Sequence, residues 1–429
     1  MKKITNQFLN EEYYVETIDN GMQVFLKPKT DLNRSYAMLS VKYGSINQEF
    51  KVQGHKEIIK TPAGVAHFLE HKMFEMPNGI DATNLFAALG ADVNAYTSHE
   101  NTSYYFSTVT NFSESLELLL DFVQTPYFTE ESVETEKGII EQEIITSLDL
   151  PTSVSYQGIL KNLFKENKVS EDIGGTIESI KTISKDVLQT CYDIFYHPKN
   201  MILVVVGNFD LNQTIELIKN NQKNKTFKPY TNPQTIYYLE DNQVNIEENI
   251  TTMDINNEVV NVGVKFDLAT YSPYEITKLA ILLDFVLEEL FSYSSNNYQQ
   301  WLRAELIDYS FDYSFALAPY FAYLMIGGET TKSRILINNI KEVLLNLSLD
   351  IFDEERFKNY LRGYIGYEIR KFNSVEAIAN NINDKELDHT HLFDTINILN
   401  TLKFSDLTEL LKLFEEKALS IFIIKPNQQ

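Results

Sequence analysis

The chain is poor in cysteine, with Cys191 alone among 429 residues. No internal disulfide can form, and a lone thiol in a stretch that reads as helix (185–196) is expected to be buried and inert. Positive charge is also short: 37 Lys and Arg stand against 60 Asp and Glu, for a net charge of −23. Nucleic acid and anionic membrane surfaces are held by a positive footprint, so neither is an expected partner. Long apolar runs are missing too. No stretch has the length and freedom from charge that a bilayer span needs. The opening MKKITNQFLN lacks an apolar run of signal-peptide length, so the cytoplasm is the expected compartment. Core material is plentiful: 44% of residues are hydrophobic and 12% aromatic. The length suits two domains of about 200 residues each.

Hydrophobic periodicity orders the first half. Strand patterns cover 17–28, with a turn at Asn20-Gly21, and 35–43. Pro62 and Gly64 introduce a helix, and Asp81 can cap another running to Leu89. Strands at 92–98 and 103–109 precede helical patterns at 113–124, 130–147, 153–166 and 184–196. Met201-Ile-Leu-Val-Val-Val-Gly207 is the apolar run of a buried central strand. The segment 221–245, rich in Lys, Asn and Thr, reads as a connection. A similar order then returns. A strand pattern at 259–268 precedes helical patterns at 274–290 and 296–305. Paired strands at 309–317 and 320–327 follow, then helices at 330–345, 353–371, 375–388 and 404–417, and a last buried strand at 418–424. The recurrence implies a duplicated α+β unit, with expected domains at 1–224 and 248–429 joined by a linker at 225–247.

Within the helix after Gly64 lies His67-Phe68-Leu69-Glu70-His71, an H-x-x-E-H order. Histidines four residues apart on a helix stack on one face and can reach one metal ion. Glu70 points to nearly the same side and is free to act as a general base on water activated by that metal. The bland alternative is a solvated helix face bearing two unrelated histidines. Two imidazoles do not complete a catalytic zinc site, which takes a third protein ligand. His99, His197, His389 and His391 are expected to be surface or structural residues. A carboxylate is the better search target. The 130–147 helix offers Glu134 with Glu141, and Glu136 with Glu143, each pair seven residues apart on one face. Glu136 and Glu143 neighbour Ile139 and Ile140, an apolar and therefore inward stripe where a carboxylate is costly unless paired or bound to metal. Glu143 is the preferred ligand candidate.

Three segments in this order carry a resemblance: Gly64-Val-Ala-His-Phe-Leu-Glu-His71, Gly90-Ala-Asp-Val-Asn-Ala-Tyr-Thr97 and Glu136-Lys-Gly-Ile-Ile-Glu-Gln-Glu143. The chain resembles the pitrilysin/insulinase family of zinc metallopeptidases, in particular its half-length bacterial branch, which is similar to mitochondrial processing peptidase subunits. The resemblance implies two related α/β-sandwich domains, each a mixed, mainly antiparallel sheet flanked by helices, together half of a clamshell. It implies one Zn2+ per chain on His67, His71 and Glu143, with Glu70 as catalytic base and Glu136 supporting the ligand helix near the metal. The strand around Asn94 and Ala95 matches the family's substrate-binding edge, where an extended peptide adds itself as a strand. Trp301-Leu-Arg-Ala-Glu-Leu-Ile-Asp-Tyr309 resembles a segment that turns an Arg and a Tyr toward substrate. Arg303 and Tyr309 stand one residue closer than the family spacing and lack its intervening glycine. The implied partners are a peptide substrate and either a second copy or a related chain lacking the zinc motif.

Two functions follow as expectations. One is a zinc-dependent endopeptidase that hydrolyses unfolded or short peptides within an enclosed chamber. The other is a catalytically silent structural or peptide-binding subunit. An intact H-x-x-E-H favours the first, because an inactive subunit has no physical need for all four groups.

Overall fold

A computed structural model describes residues 1–427, apart from the side chain of Asn78. Twelve strands and twelve helices carry the architecture. In the first half these are β1 (Lys2–Asn6), β2 (Glu11–Thr17), β3 (Gln23–Pro28), β4 (Ser35–Val41), α1 (Val65–Met73), α2 (Ala82–Leu89), β5 (Ala91–Thr97), β6 (Thr102–Thr108), α3 (Phe112–Val123), α4 (Glu130–Leu148), α5 (Pro151–Leu163), α6 (Lys185–Phe195), β7 (Met201–Gly207) and α7 (Leu211–Lys223). The second half holds β8 (Glu248–Met253), β9 (Glu258–Lys265), α8 (Pro273–Phe291), α9 (Asn296–Arg303), β10 (Asp312–Leu317), β11 (Ala322–Thr330), α10 (Ser333–Leu345), α11 (Glu354–Lys371), α12 (Val375–Leu387) and β12 (Leu419–Pro426). Shorter turns and bridges join them.

These elements form two compact units. One comprises Met1–Ile144, Asp172–Ile236 and Glu368–Leu392; the other comprises Ile145–Glu171, Tyr237–Tyr367 and Phe393–Gln429. The expected domain boundaries follow chain order, whereas these units are discontinuous. The first contains a seven-stranded sheet in the order β1-β2-β3-β7-β4-β6-β5, and the second a five-stranded sheet in the order β8-β12-β9-β11-β10. Each sheet has one parallel pair, β3 with β7 and β8 with β12, and is otherwise antiparallel. The mixed, mainly antiparallel α/β architecture expected from the sequence is therefore present twice.

Sequence explains why the central strand is silent about facing. All seven residues of β7 are buried. Met201, Leu203 and Val205 join the core formed with α1, α3 and α6, while α12 packs against β7 and β4. In the second unit, α5 plays the matching part against β12 and β9. Cys191 is buried as expected.

Several readings need correction. The 404–417 pattern is one turn of helix at Leu407–Leu411 between 3-10 turns. The helix α7 runs into the segment read as a connection, its few apolar residues masked by Lys and Asn. Strands β1 and β8 gave no alternation because each lies at a sheet edge with polar residues on both faces. Tyr309 precedes the strand it was expected to join, since β10 starts at Asp312.

Candidate active site

The helix α1 begins at Gly64, whose φ of 89° suits a residue without Cβ. A Cβ there would stand 2.6 Å from the Gly174 carbonyl oxygen, so the turn into the helix is tightly closed. Val65, Ala66, Phe68, Leu69 and Met73 bury one face of α1 in the core. His67, Glu70 and His71 fall on the other face, partly open. The two imidazole centroids are 4.6 Å apart, their planes at 67°.

The helix α4 supplies the facing carboxylates. Glu143 Oε2 lies 3.9 Å from His67 Nε2 and 3.7 Å from His71 Nε2. Donor atoms of His67, His71 and Glu143 all fall within 4.8 Å of one another, the only such group of three among the described residues. Glu136 Oε1 sits 2.9 Å from His71 Nδ1. That carboxylate holds the Nδ1 proton and leaves the Nε2 lone pair toward Glu143, the outer support typical of a metal-ligating histidine. His67 Nδ1 is buried without a hydrogen-bond partner. The apolar stripe expected around these carboxylates is only half real. Ile140 is fully buried, but Ile139 is 53% exposed, and Glu143 itself is 54% exposed. Glu143 meets the two histidines at an open rim rather than in the core. Glu134 pairs with Lys137, and Glu141 with Lys181, so neither joins the cluster.

Burial and the neighbouring carboxylates act differently on the two rings. It lowers the pKa of His67 to about 4, helped by the nearby His71, so this ring is neutral at pH 7, as a metal ligand must be. Burial opposes protonation of His71 as well. There the hydrogen bond that His71 donates to Glu136 and the charges of Glu136, Glu143 and Glu70 outweigh it, and the net shift is upward. Burial raises the pKa of Glu70; the Thr97 hydroxyl and His71 temper the rise and Glu143 adds to it. A carboxylate shifted upward is a stronger base.

Next to α1 runs β5, the last strand of its sheet, paired on one side only. Asn94 lies opposite Tyr105 and Ala95 opposite Tyr104. Asn94 is exposed, and its Oδ1 accepts a hydrogen bond from the Ala95 N–H at 2.8 Å. Val93 and Ala95 pack toward the core, and Thr97 on the same face donates to Glu70 at 2.6 Å. Thr97 closes the Gly90-to-Thr97 segment and had no role on sequence grounds. The period-two alternation from Val93 was the signal that places it beside α1. In the second unit, Arg303 is the exposed last residue of α9, and Tyr309 is 79% exposed ahead of β10. The remaining histidines stay outside the cluster; His197, for example, accepts from the Lys199 N–H.

Residues 23–177 match the family described as Insulinase (Peptidase family M16), and residues 182–364 match Peptidase M16 inactive domain. A Bacillus subtilis protein named uncharacterized zinc protease YmfH is 36% identical over 415 residues, covering 96% of each chain. The chain belongs to peptidase family M16. The crystal structure of a protein described as an M16-like peptidase from Alicyclobacillus acidocaldarius shares 31% identity and a TM-score of 0.91, covering 97% of this chain and 98% of that one. A protease from Helicobacter pylori has the same fold, with a TM-score of 0.83 at 19% identity, covering 96% and 99% of the two chains. M16 peptidases are zinc-dependent, and the donors present fit zinc: two imidazoles, one of them oriented by a carboxylate, and a third, acidic side chain. No helix among the described residues is long and apolar enough to cross a membrane.

Proposed function

We propose that the chain is a zinc endopeptidase that hydrolyses unfolded or short peptides, and that His67, His71 and Glu143 hold its metal. The observation that carries this is the convergence of those three donors beside Glu70 and an open sheet edge. A zinc ion held there would supply Lewis acidity, lowering the pKa of water and polarising the scissile carbonyl. Glu70 takes the proton from the attacking water and returns it to the leaving amine nitrogen. Glu136 keeps the His71 ring in place. The β5 edge pairs with an extended peptide through backbone hydrogen bonds, which tolerates many side chains. Asn94 and Ala95 belong to that edge, and we assign both to binding the peptide strand. Arg303 and Tyr309 contribute to gripping the substrate, or a partner chain does so in their place. The partner is a second copy or a related chain without the zinc motif, which would enclose the site in a chamber. We keep the cytoplasm as the proposed setting; a solved relative, PqqL of Escherichia coli, is described as periplasmic, so cell fractionation decides.

The alternative is a silent peptide-binding subunit. The test is cleavage of an unfolded reporter peptide by the purified chain, alone and co-purified with its partner, before and after chelation and zinc return. The proposal expects cleavage that chelator abolishes and zinc restores. Zinc-loaded protein inert in both forms, or cleavage indifferent to chelator, overturns it.

A further inference from the structure

The hydroxyl of Thr97 has a single proton and two acceptors within reach. Its Oγ lies 2.6 Å from Glu70 Oε2 and 3.3 Å from the Thr102 hydroxyl. Thr102 is fully buried, and its own proton is committed to the Tyr43 carbonyl at 2.9 Å. The shorter distance and the carboxylate charge assign the Thr97 proton to Glu70. One oxygen of Glu70 is thereby engaged and the other is left free. Thr97 is also the final residue of β5, the strand proposed to receive the peptide.

We propose that Thr97 is a positioning residue for the base. It fixes the Glu70 carboxylate through Oε2, so that Oε1 is the oxygen that accepts the proton, and it ties the aim of the base to the docking strand. The inference rests on the peptidase reading above. In the reaction the water oxygen bonds to the carbonyl carbon, a water proton passes to Glu70 Oε1 and then to the amine nitrogen as the C–N bond breaks. Thr97 keeps its own proton throughout.

The experiment compares Thr97→Val and Thr97→Ser with the wild-type chain. Valine keeps the branched shape of threonine and its preference for strands, and removes only the hydroxyl. Serine keeps the hydroxyl. In Thr97→Val, zinc content and KM for an unfolded peptide are expected to stay within about twofold of wild type, while kcat falls roughly ten- to hundredfold, as loss of one hydrogen bond to a charged group implies. Thr97→Ser is expected to recover most of kcat. A Thr97→Val enzyme with wild-type kcat, or a Thr97→Ser enzyme as slow as Thr97→Val, overturns the inference. If the wild-type chain cleaves nothing, the peptidase reading fails instead, and crystal structures of the two variants decide the positioning claim. Thr97→Val is expected to let the Glu70 carboxylate turn away, and Thr97→Ser to hold it. An unmoved carboxylate in Thr97→Val refutes the claim without any turnover.

Discussion

The strands β3-β7-β4-β6-β5 of the first sheet and β8-β12-β9-β11-β10 of the second share their order and their pairing senses. In both, a helix of the strand-to-edge connection and a later long helix recur in the same chain positions: α1 and α4 in one, α8 and α11 in the other. The side chains differ. All seven histidines of the chain, at 55, 67, 71, 99, 197, 389 and 391, belong to the first unit. The second unit has carboxylates and phenols at its helices: Tyr360 of α11 donates to Asp284 of α8 at 2.6 Å, and Tyr313 of β10 donates to Glu288 at 3.4 Å. Those carboxylates are satisfied within the protein, whereas the His67, His71 and Glu143 donors converge without direct hydrogen bonds among themselves. The backbone plan supplies facing helices beside a sheet edge, and the residues placed on it decide between a converging His-His-Glu set and a closed hydrogen-bonded pair. A second parallel runs through the buried lysines. Lys27 pairs with Glu11 and lies over the Phe372 ring in the first unit; Lys265 pairs with Glu240 and lies over Phe164 in the second.

The largest way to break this contrast is to remove a donor. His71→Ala is expected to lose zinc and reduce peptide cleavage to background, while Asp284→Ala leaves about one zinc per chain; metal analysis of dialysed protein reads both. Loss of zinc in Asp284→Ala would end the assignment of the metal to the first unit alone. Glu136→Gln removes the charge behind His71 and is expected to weaken zinc binding roughly 10- to 100-fold in a competition titration.

Acid should act through the histidines. Burial holds His99 at about 4 against an ordinary 6.5. The folded chain keeps the ring neutral while the unfolded chain takes up a proton, so the stability it contributes is present above 6.5 and lost as pH falls toward 4. The stability gap between wild type and His99→Asn in denaturant titrations is therefore expected to narrow by roughly 2 kcal/mol across that window. A gap that stays constant would show that the ring titrates normally. The smallest effects belong to the lysine–phenyl contacts. Phe164→Leu and Phe372→Leu should each cost about 1 kcal/mol, read by hydrogen exchange as loosening in the variant's own unit.

Much of this was legible beforehand because strong periodicity and punctuation coincide at the site. Gly64, the H-x-x-E-H helix, the Asp81 cap and the paired strands after Gly90 stand where the sequence puts them. The face of α4 was harder to read. Its apolar residues are split between buried Ile140 and exposed Ile139, so hydrophobicity alone misjudged how open Glu143 is. The exchange of α5 and α12 was also hidden. Each lies in one half of the sequence and packs on the sheet of the unit assembled mainly from the other half, and local pattern carries no such long-range information. Thr97 escaped notice because a lone threonine in a strand is ordinary until its partner is known.

The most direct measurement of the central claim is zinc content and peptide turnover of Glu70→Gln on one sample, beside wild type. The amide cannot accept the proton but keeps the shape of the side chain and leaves His67, His71 and Glu143 intact. The account predicts about one zinc per chain and a kcat lowered by roughly 10² to 10⁴-fold. Wild-type turnover in a fully zinc-loaded Glu70→Gln chain would contradict it.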